Sequence, residues 1–247
     1  MPDLSITSVP MGRWQTNCLV VADHAARRAF VVDPGEGAAQ RVPALLSELD
    51  VEVEAILLTH GHLDHVWAAP ALGEELDVPI HLHPGDRYLW ANPAATFGVP
   101  DEQAVQVMQA QFGLRWSPGT RRLVDVVDGQ RLALAGLELT VTHTPGHTPG
   151  SVTFLLHDVV GAEVAVAVGR DQVAPDEVLL SGDLLFAGSI GRTDFPRGSL
   201  DDMMASLRRH LPTLDEDTLV LSGHGPDTTI GVELATNPYV RQALAAA

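Results

Sequence analysis

The strongest constraint on this chain is a seven-residue run, Thr59-His60-Gly61-His62-Leu63-Asp64-His65, which follows the apolar stretch Val51 to Leu58. The run gathers three imidazoles and a carboxylate into the six positions from His60 to His65, a density that a solvated loop has no use for. In extended backbone His60, His62 and Asp64 project to one side with period two. A helix start turns His65 away from them, so one run can serve two neighbouring metal ions. Gly61 has no side chain to obstruct the imidazoles on either side of it. An apolar strand that ends on such a run points to an α/β protein with its chemistry on the loops at the carboxyl ends of its strands.

The remaining pattern agrees with an α/β chain, because short apolar runs alternate with turn signals and helical periodicities. Strands are predicted near 17–22 and 29–33, followed by a helix in which Val42, Leu45, Leu46 and Leu49 recur at helical spacing. After the strand 51–58 come a helix over about 65–76 and a strand over 79–83. The less regular stretch of about 85–120 reads as a lid-like insertion, with a short helix over 101–111. Its Trp90, Phe97, Phe112 and Trp116 either hold the insertion together or line a substrate pocket. Asp128-Gly129 and Ala135-Gly136 separate strands between 123 and 144, and further strands are predicted at 151–156, 178–181 and 218–222. The stretch 157–176 reads as an extra hairpin or loop. Ser199 caps an amphipathic helix running to about Leu211, and the tail shows a helix start at Thr228 to Gly231 and a break at Asn237-Pro238. No shift in composition marks a linker, so 1–247 reads as a single domain.

Composition narrows the chemistry. Cys18 is the only cysteine, which excludes an internal disulfide and any cysteine-rich zinc module, so metal donors must be imidazole and carboxylate. Its apolar neighbours mark it as a buried thiol. The formal net charge of −17, with all fifteen cations arginine, opposes a nucleic-acid partner. No apolar run reaches the roughly 18 residues of a membrane span. The first ten residues lack a basic segment followed by an apolar one, and a cytoplasmic location is the expectation.

Three more candidate ligands stand near strand ends: His147 in a Pro-Gly turn, Asp183 after Leu179-Leu180-Ser181-Gly182, and His224 after Val220-Leu221-Ser222-Gly223. With these following in order, the run at 59–65 resembles the metallo-β-lactamase superfamily, over about position 17 to the end. The resemblance implies an α/β fold of the αββα four-layer sandwich type, with the metals at one edge. It implies that His60, His62 and His147 hold one divalent ion, that Asp64, His65 and His224 hold a second, and that Asp183 bridges them. Zinc is the first candidate, with iron or manganese as alternatives. A hydroxide bridging the metals would be the nucleophile, and Asp64 would act catalytically by orienting it or receiving a proton.

Within the superfamily, residues 144–148, 181–186 and 191–195 look like glyoxalase II, and the length like its short single-domain hydroxyacylglutathione hydrolase relatives. The reaction implied is hydrolysis of a small-molecule hydroxyacyl thioester such as S-lactoylglutathione. Two departures point toward a related low-molecular-weight thiol instead. Only twenty-three residues follow His224, and Arg192 and Asp194 stand where the two-domain enzymes carry a Lys and a nearby Tyr for the thiol's carboxylate. Arg192 either binds substrate or pairs with Asp194. The rival implied by the same motifs is a persulfide dioxygenase with one iron on His60, His147 and Asp183. His81 and His83 share a strand face but are expected to be non-ligands, and His143 is a candidate to orient a ligand.

Overall fold

The computed structural model describes residues 4–119, 122–159 and 176–245, together with the backbone of 163–165. In chain order the first half contains β1 (Leu4–Met11), β2 (Thr16–Asp23), β3 (Arg28–Val32), α1 (Ala38–Leu49), β4 (Glu52–Leu57), α2 (Leu63–Val66), α3 (Ala69–Leu76), β5 (Ile80–Leu82), α4 (Arg87–Ala91) and α5 (Asp101–Phe112). Then come β6 (Leu123–Asp125), β7 (Arg131–Leu134), β8 (Leu137–His143), β9 (Val152–Leu156), β10 (Glu163–Ala165), β11 (Val178–Gly182), α6 (Leu200–His210), β12 (Leu219–Ser222), β13 (Thr228–Thr229), α7 (Ile230–Thr236) and α8 (Pro238–Ala245). They form a seven-stranded sheet in the order β10-β1-β2-β3-β4-β5-β6 and a six-stranded sheet in the order β13-β12-β11-β9-β8-β7.

Side-chain alternation builds the layers. Along β2, Leu19 and Val21 enter the core between the sheets, whereas Cys18, Val20 and Ala22 face the opposite way onto α1 and α3. Along β11 and β12, Leu180, Leu219 and Leu221 enter the shared core, and Leu179 and Val220 pack against Met203 and Leu207 of α6 and Val240 of α8. A strand buried on both faces must be apolar at every position, which is why these strands read as continuous runs. The result is helix, sheet, sheet, helix: the αββα sandwich implied by the resemblance.

Several boundaries differ from the sequence reading. The helix expected over 65–76 is two helices, because Pro70 enters the first turn of α3 and supplies no N–H to continue from α2. β1, not anticipated, pairs antiparallel with β2 along its whole length although Ser5, Thr7, Ser8 and Pro10 break up its apolar residues. The expected lid-like region is mostly helical where described, with 3₁₀ turns at Pro84–Asp86 and Pro93–Phe97 flanking α4. Trp90 joins the core under α3, and Phe112 and Trp116 pack around Leu63, Ala94 and Met108. Phe97 is instead among the exposed large apolar side chains. In the expected extra hairpin of 157–176, residues 163–165 pair parallel with β1, and 160–162 and 166–175 lie outside the described residues. Among the described residues no helix is long and apolar enough to cross a membrane.

Candidate metal centre

Both sheets deliver side chains to one edge. In the first, β4 leads into Thr59–His65; in the second, β8, β11 and β12 are followed by His147, Asp183 and His224. Bonds across the seam hold the loops in register: Val152 N donates to Thr59 O at 2.8 Å, and Asn17 N donates to Gly223 O at 2.8 Å. Asn17 Nδ2 adds donations to Ser222 O and Gly225 O, both at 2.9 Å.

All seven predicted ligands converge. His62 Nδ1 lies 3.2 Å from His60 Nε2 and 2.8 Å from His147 Nε2. Two donors sharing an ion at 2.0–2.1 Å stand roughly 3 Å apart, so this spacing fits a single cation. Asp64 Oδ2, His65 Nε2 and His224 Nε2 form a second group, 3.1 to 3.4 Å apart. Asp183 stands between the groups, its Oδ1 3.4 Å from His65 Nε2 and its Oδ2 3.3 Å from His147 Nε2. Oδ1 is buried without a hydrogen-bond partner, a costly arrangement that a cation would relieve.

The remaining imidazole nitrogens are anchored so that lone pairs face inward. His147 Nδ1 donates to Arg192 O at 2.6 Å and His224 Nδ1 to Trp14 O at 3.1 Å. A carbonyl oxygen can only accept, so in the neutral form of each ring the lone pair is on Nε2, the atom that faces the site. Asp33, which the sequence reading missed, orients two more. Its Oδ2 accepts from Thr59 Oγ1 at 2.6 Å and faces His65 Nδ1 at 2.9 Å, and its Oδ1 accepts from Thr59 N at 2.8 Å. With its proton committed to Asp33, Thr59 Oγ1 accepts from His60 Nδ1 at 3.1 Å. One carboxylate thereby sets the tautomers of ligands in both groups.

Asp86 was missed as well. Buried under the site, it accepts from Gly61 N at 2.8 Å, Thr148 Oγ1 at 2.6 Å and Gly150 N at 2.7 Å. It thus ties the His60–His62 loop to the loop after His147. Burial raises its pKa against these three donors.

The electrostatics call for positive charge here. Burial and the neighbouring imidazoles push His60 and His62 well below the usual histidine value, which keeps their lone pairs free. Burial also works against a charged His65, but Asp64, Asp183 and Asp33 outweigh it and raise His65 to about 10. Burial would raise Asp64, yet His65 and His224 hold it below the ordinary carboxylate range. His65 accepts a proton only because three carboxylates surround it, and a divalent cation would meet that demand more fully.

Other candidates fare differently. His81 and His83 join none of the metal-capable clusters among the described residues. His81 Nδ1 is buried without a partner, and His83 stacks on His143 with ring centroids 4.1 Å apart. His143 bonds Pro149 O rather than a ligand, so its expected orienting role becomes support of the loop. The Arg192 side chain pairs with Asp194, and only its backbone oxygen touches a ligand. Gly191 makes that approach possible, since a Cβ there would fall 2.0 Å from Asp183 O. The site opens into a pocket of about 440 Å³ whose walls include Trp14, Phe97, Phe186 and Phe195.

Comparison with known proteins agrees with this geometry. The sequence profile of the metallo-β-lactamase superfamily matches residues 11–161. The hydroxyacylglutathione hydrolase GloC of Haemophilus influenzae is 34% identical over 241 residues, covering 96% of this chain and 98% of that protein. The crystal structure of BLEG-1 B3 metallo-β-lactamase superposes with a TM-score of 0.77 at 31% identity, over 95% of this chain and 99% of the other. TTHA1623 in a di-iron-bound form superposes with a TM-score of 0.70 at 35% identity, over 94% and 98%. With its fold, its ordered donor set and these matches in agreement, the chain belongs to the metallo-β-lactamase superfamily.

Proposed function

We propose that the chain is a hydrolase of hydroxyacyl thioesters that works with two divalent cations. His60, His62 and His147 would hold one ion, Asp64, His65 and His224 the other, with Asp183 shared. The observation that carries this reading is Asp183, buried between two donor groups and presenting one oxygen toward each. The likeness to the Haemophilus hydroxyacylglutathione hydrolase supports the thioester as substrate. A donor set of imidazole and carboxylate without thiolate suits zinc, and equally iron or manganese. Two such ions would supply Lewis-acid polarisation of the thioester carbonyl and a water acidic enough to attack near neutral pH.

The protein's own groups do the rest. Asp64 is kept ionised at the base of the pocket, with Oδ2 accepting from Thr16 Oγ1 at 3.1 Å and paired to His224 Nε2 at 3.1 Å. Its Oδ1 is then the atom that receives a proton from the attacking water. Phe195, edge-on to His62 with centroids 5.5 Å apart, and Phe186 beside His224 shield the reacting carbonyl from bulk water.

The test is metal content of protein purified without chelator, paired with turnover of lactoyl thioesters and with oxygen uptake. Two equivalents of metal with thioester cleavage is the expected outcome. One iron with persulfide-dependent oxygen uptake would replace this reading with the dioxygenase.

A further inference from the structure

Asn237-Pro238 breaks the chain between α7 and α8, and Glu233 stands one turn earlier. Both side chains are sealed from solvent, Asn237 at 0% exposure and Glu233 at 1%, so their polar atoms need partners. Capping α8 uses only one of these atoms. Asn237 Oδ1 accepts from Tyr239 N at 3.0 Å and Val240 N at 3.4 Å, with Pro238 at the first helical position. The others reach a turn that follows Asp183. Asn237 Nδ2 donates to Ser189 O at 3.0 Å and to Glu233 Oε2 at 2.8 Å. Glu233 Oε2 also accepts from Gly188 N at 2.9 Å, and its Oε1 accepts from Thr228 Oγ1 at 2.6 Å. The turn, residues 186–189, is closed by Phe186 N donating to Ser189 O at 3.0 Å and Ser189 N to Phe186 O at 3.2 Å. Phe186, Ser189 and Ile190 line the pocket, and the Phe186 ring stands edge-on to His224 with centroids 6.1 Å apart.

We propose that Glu233 and Asn237 are positioning residues for the substrate: they fix the Phe186–Ile190 wall and so set the affinity of the pocket for the organic group held there, although neither lines it. The proposal rests on the reading of this pocket as the substrate's and names what sets its shape. The bonds within the turn, and Gly191 N donating to Asp183 O at its base, give the loop its form. Its tip is tied to the rest of the molecule by Glu233 at Gly188 N and by Asn237 at Ser189 O. These two atoms adjoin the wall side chains, so a shift there moves the wall directly. A helix junction that needed only its cap would be served by Asp as well. The amide is the group that caps with its oxygen and still donates, here to Ser189 O and Glu233. With that donor lost, Ser189 O keeps only Phe186 N, and the tip of the turn is released. Contacts from the wall to a non-reacting part of the substrate are the same before and during reaction, so their loss raises KM and leaves kcat in place.

Two substitutions remove the donor and keep the cap. Asn237→Asp is isosteric but sets a carboxylate against Glu233, and Asn237→Ser drops the donor without adding charge, so it serves where the first fails to fold. In the metal-loaded protein either should raise KM for S-lactoylglutathione about fivefold or more, with kcat within about twofold and metal content unchanged. Exchange of the Gly188 amide, followed by NMR, should speed about fivefold or more. Val42→Ala, which loosens the buried face of α1 far from this wall, lowers stability and should leave KM at the wild-type value. Unchanged KM and Gly188 exchange in the Asn237 variants, a KM raised as much by Val42→Ala, or a fall in kcat with loss of metal would each overturn the proposal. Two thiols that bind through sulfur to the metals, phenylmethanethiol and ethanethiol, separate this outcome from the thioester reading. The Asn237 variants should weaken phenylmethanethiol, whose ring meets the wall, about threefold or more and leave ethanethiol unchanged. If the wild type does not cleave S-lactoylglutathione while the thiols and Gly188 exchange respond in this way, the thioester reading fails and the positioning role stands.

Discussion

Asp33 shows how much of a candidate metal site can rest on a residue outside its donor set. It sits at φ 48°, a left-handed conformation uncommon outside glycine, directly after β3. There one carboxylate reaches both His65 and Thr59, and through Thr59 it sets His60. In Asp33→Asn one of the two acceptor oxygens becomes an NH2 donor, which must face either Thr59 N or the pair of Thr59 Oγ1 and His65 Nδ1, so one side of the arrangement loses its acceptor. Groups in such a position typically account for about 10–100-fold in metal affinity. That loss is expected here for both ions, measured by competition with a chromogenic chelator, and an unchanged affinity would remove Asp33 from this role. The seven candidate ligands were legible in sequence because imidazoles and carboxylates clustered or stood after apolar runs. Asp33 and Asp86 were not, since each sits in a Pro-Gly context that reads as an ordinary turn. Their partners lie 26 residues away for Thr59 and 64 for Gly150, and pairing of that kind appears only once the fold brings the loops together.

At the scale of elements, α6 links the helical layer to the His147 turn. Ser199 Oγ caps it by accepting from Asp202 N at 3.2 Å, as its position before an amphipathic run foretold. Ser199 N donates to Gly146 O, and a Cβ on Gly146 would fall 2.4 Å from Met203 Cα, so helix and turn meet backbone to backbone. The last turn of α6 buries His210, which bonds Thr153 of β9 at 3.1 Å. Burial, helped by Arg209, lowers its pKa from 6.5 to about 4. The folded state therefore holds this imidazole neutral, while the unfolded chain takes up a proton as pH falls below about 6.5. Stability that is full above that value is lost progressively down to about pH 4, on the order of 3 kcal/mol from this group. Urea unfolding at pH 7 and pH 4.5 should show a smaller acid loss for His210→Gln than for the wild type, by about 2 kcal/mol. Identical acid losses would mean that His210 titrates normally. The sequence marked α6 by its cap and periodicity, but that His210 is buried depends on β9, which is distant in sequence.

On the scale of the whole molecule, the candidate metal centre draws its donors from two sheets that are otherwise bound by an apolar core. The segment after β4, running into α2, supplies His60, His62, Asp64 and His65 from one sheet, and the loops after β8, β11 and β12 supply His147, Asp183 and His224 from the other. The strand order within each sheet lay beyond the reach of periodicity, because alternation tells which face a residue uses and not which strand lies beside it. The four-layer arrangement was accessible only through the resemblance carried by the ligand run. These two sources of cohesion make separable predictions. The inter-sheet core, with Phe30, Leu57, Phe154 and Leu180 all fully buried, involves no metal donor, so chelation should leave the far-ultraviolet circular dichroism essentially unchanged. Stability should nonetheless fall, since a ligand present at about 1,000 times its dissociation constant contributes about 4 kcal/mol. For a chain of this size that corresponds to a drop in Tm of roughly 8–16 °C. Without cations, Asp33, Asp64 and Asp183 are left to share the proton on His65, so the metal-free protein should also lose more stability than the metal-loaded one as pH rises and that proton leaves. Calorimetry with and without chelator, followed by addition of zinc, manganese or ferrous iron, checks both points. Recovery of Tm at two equivalents would support the paired donor groups, whereas full recovery at one would leave the second group without a metal.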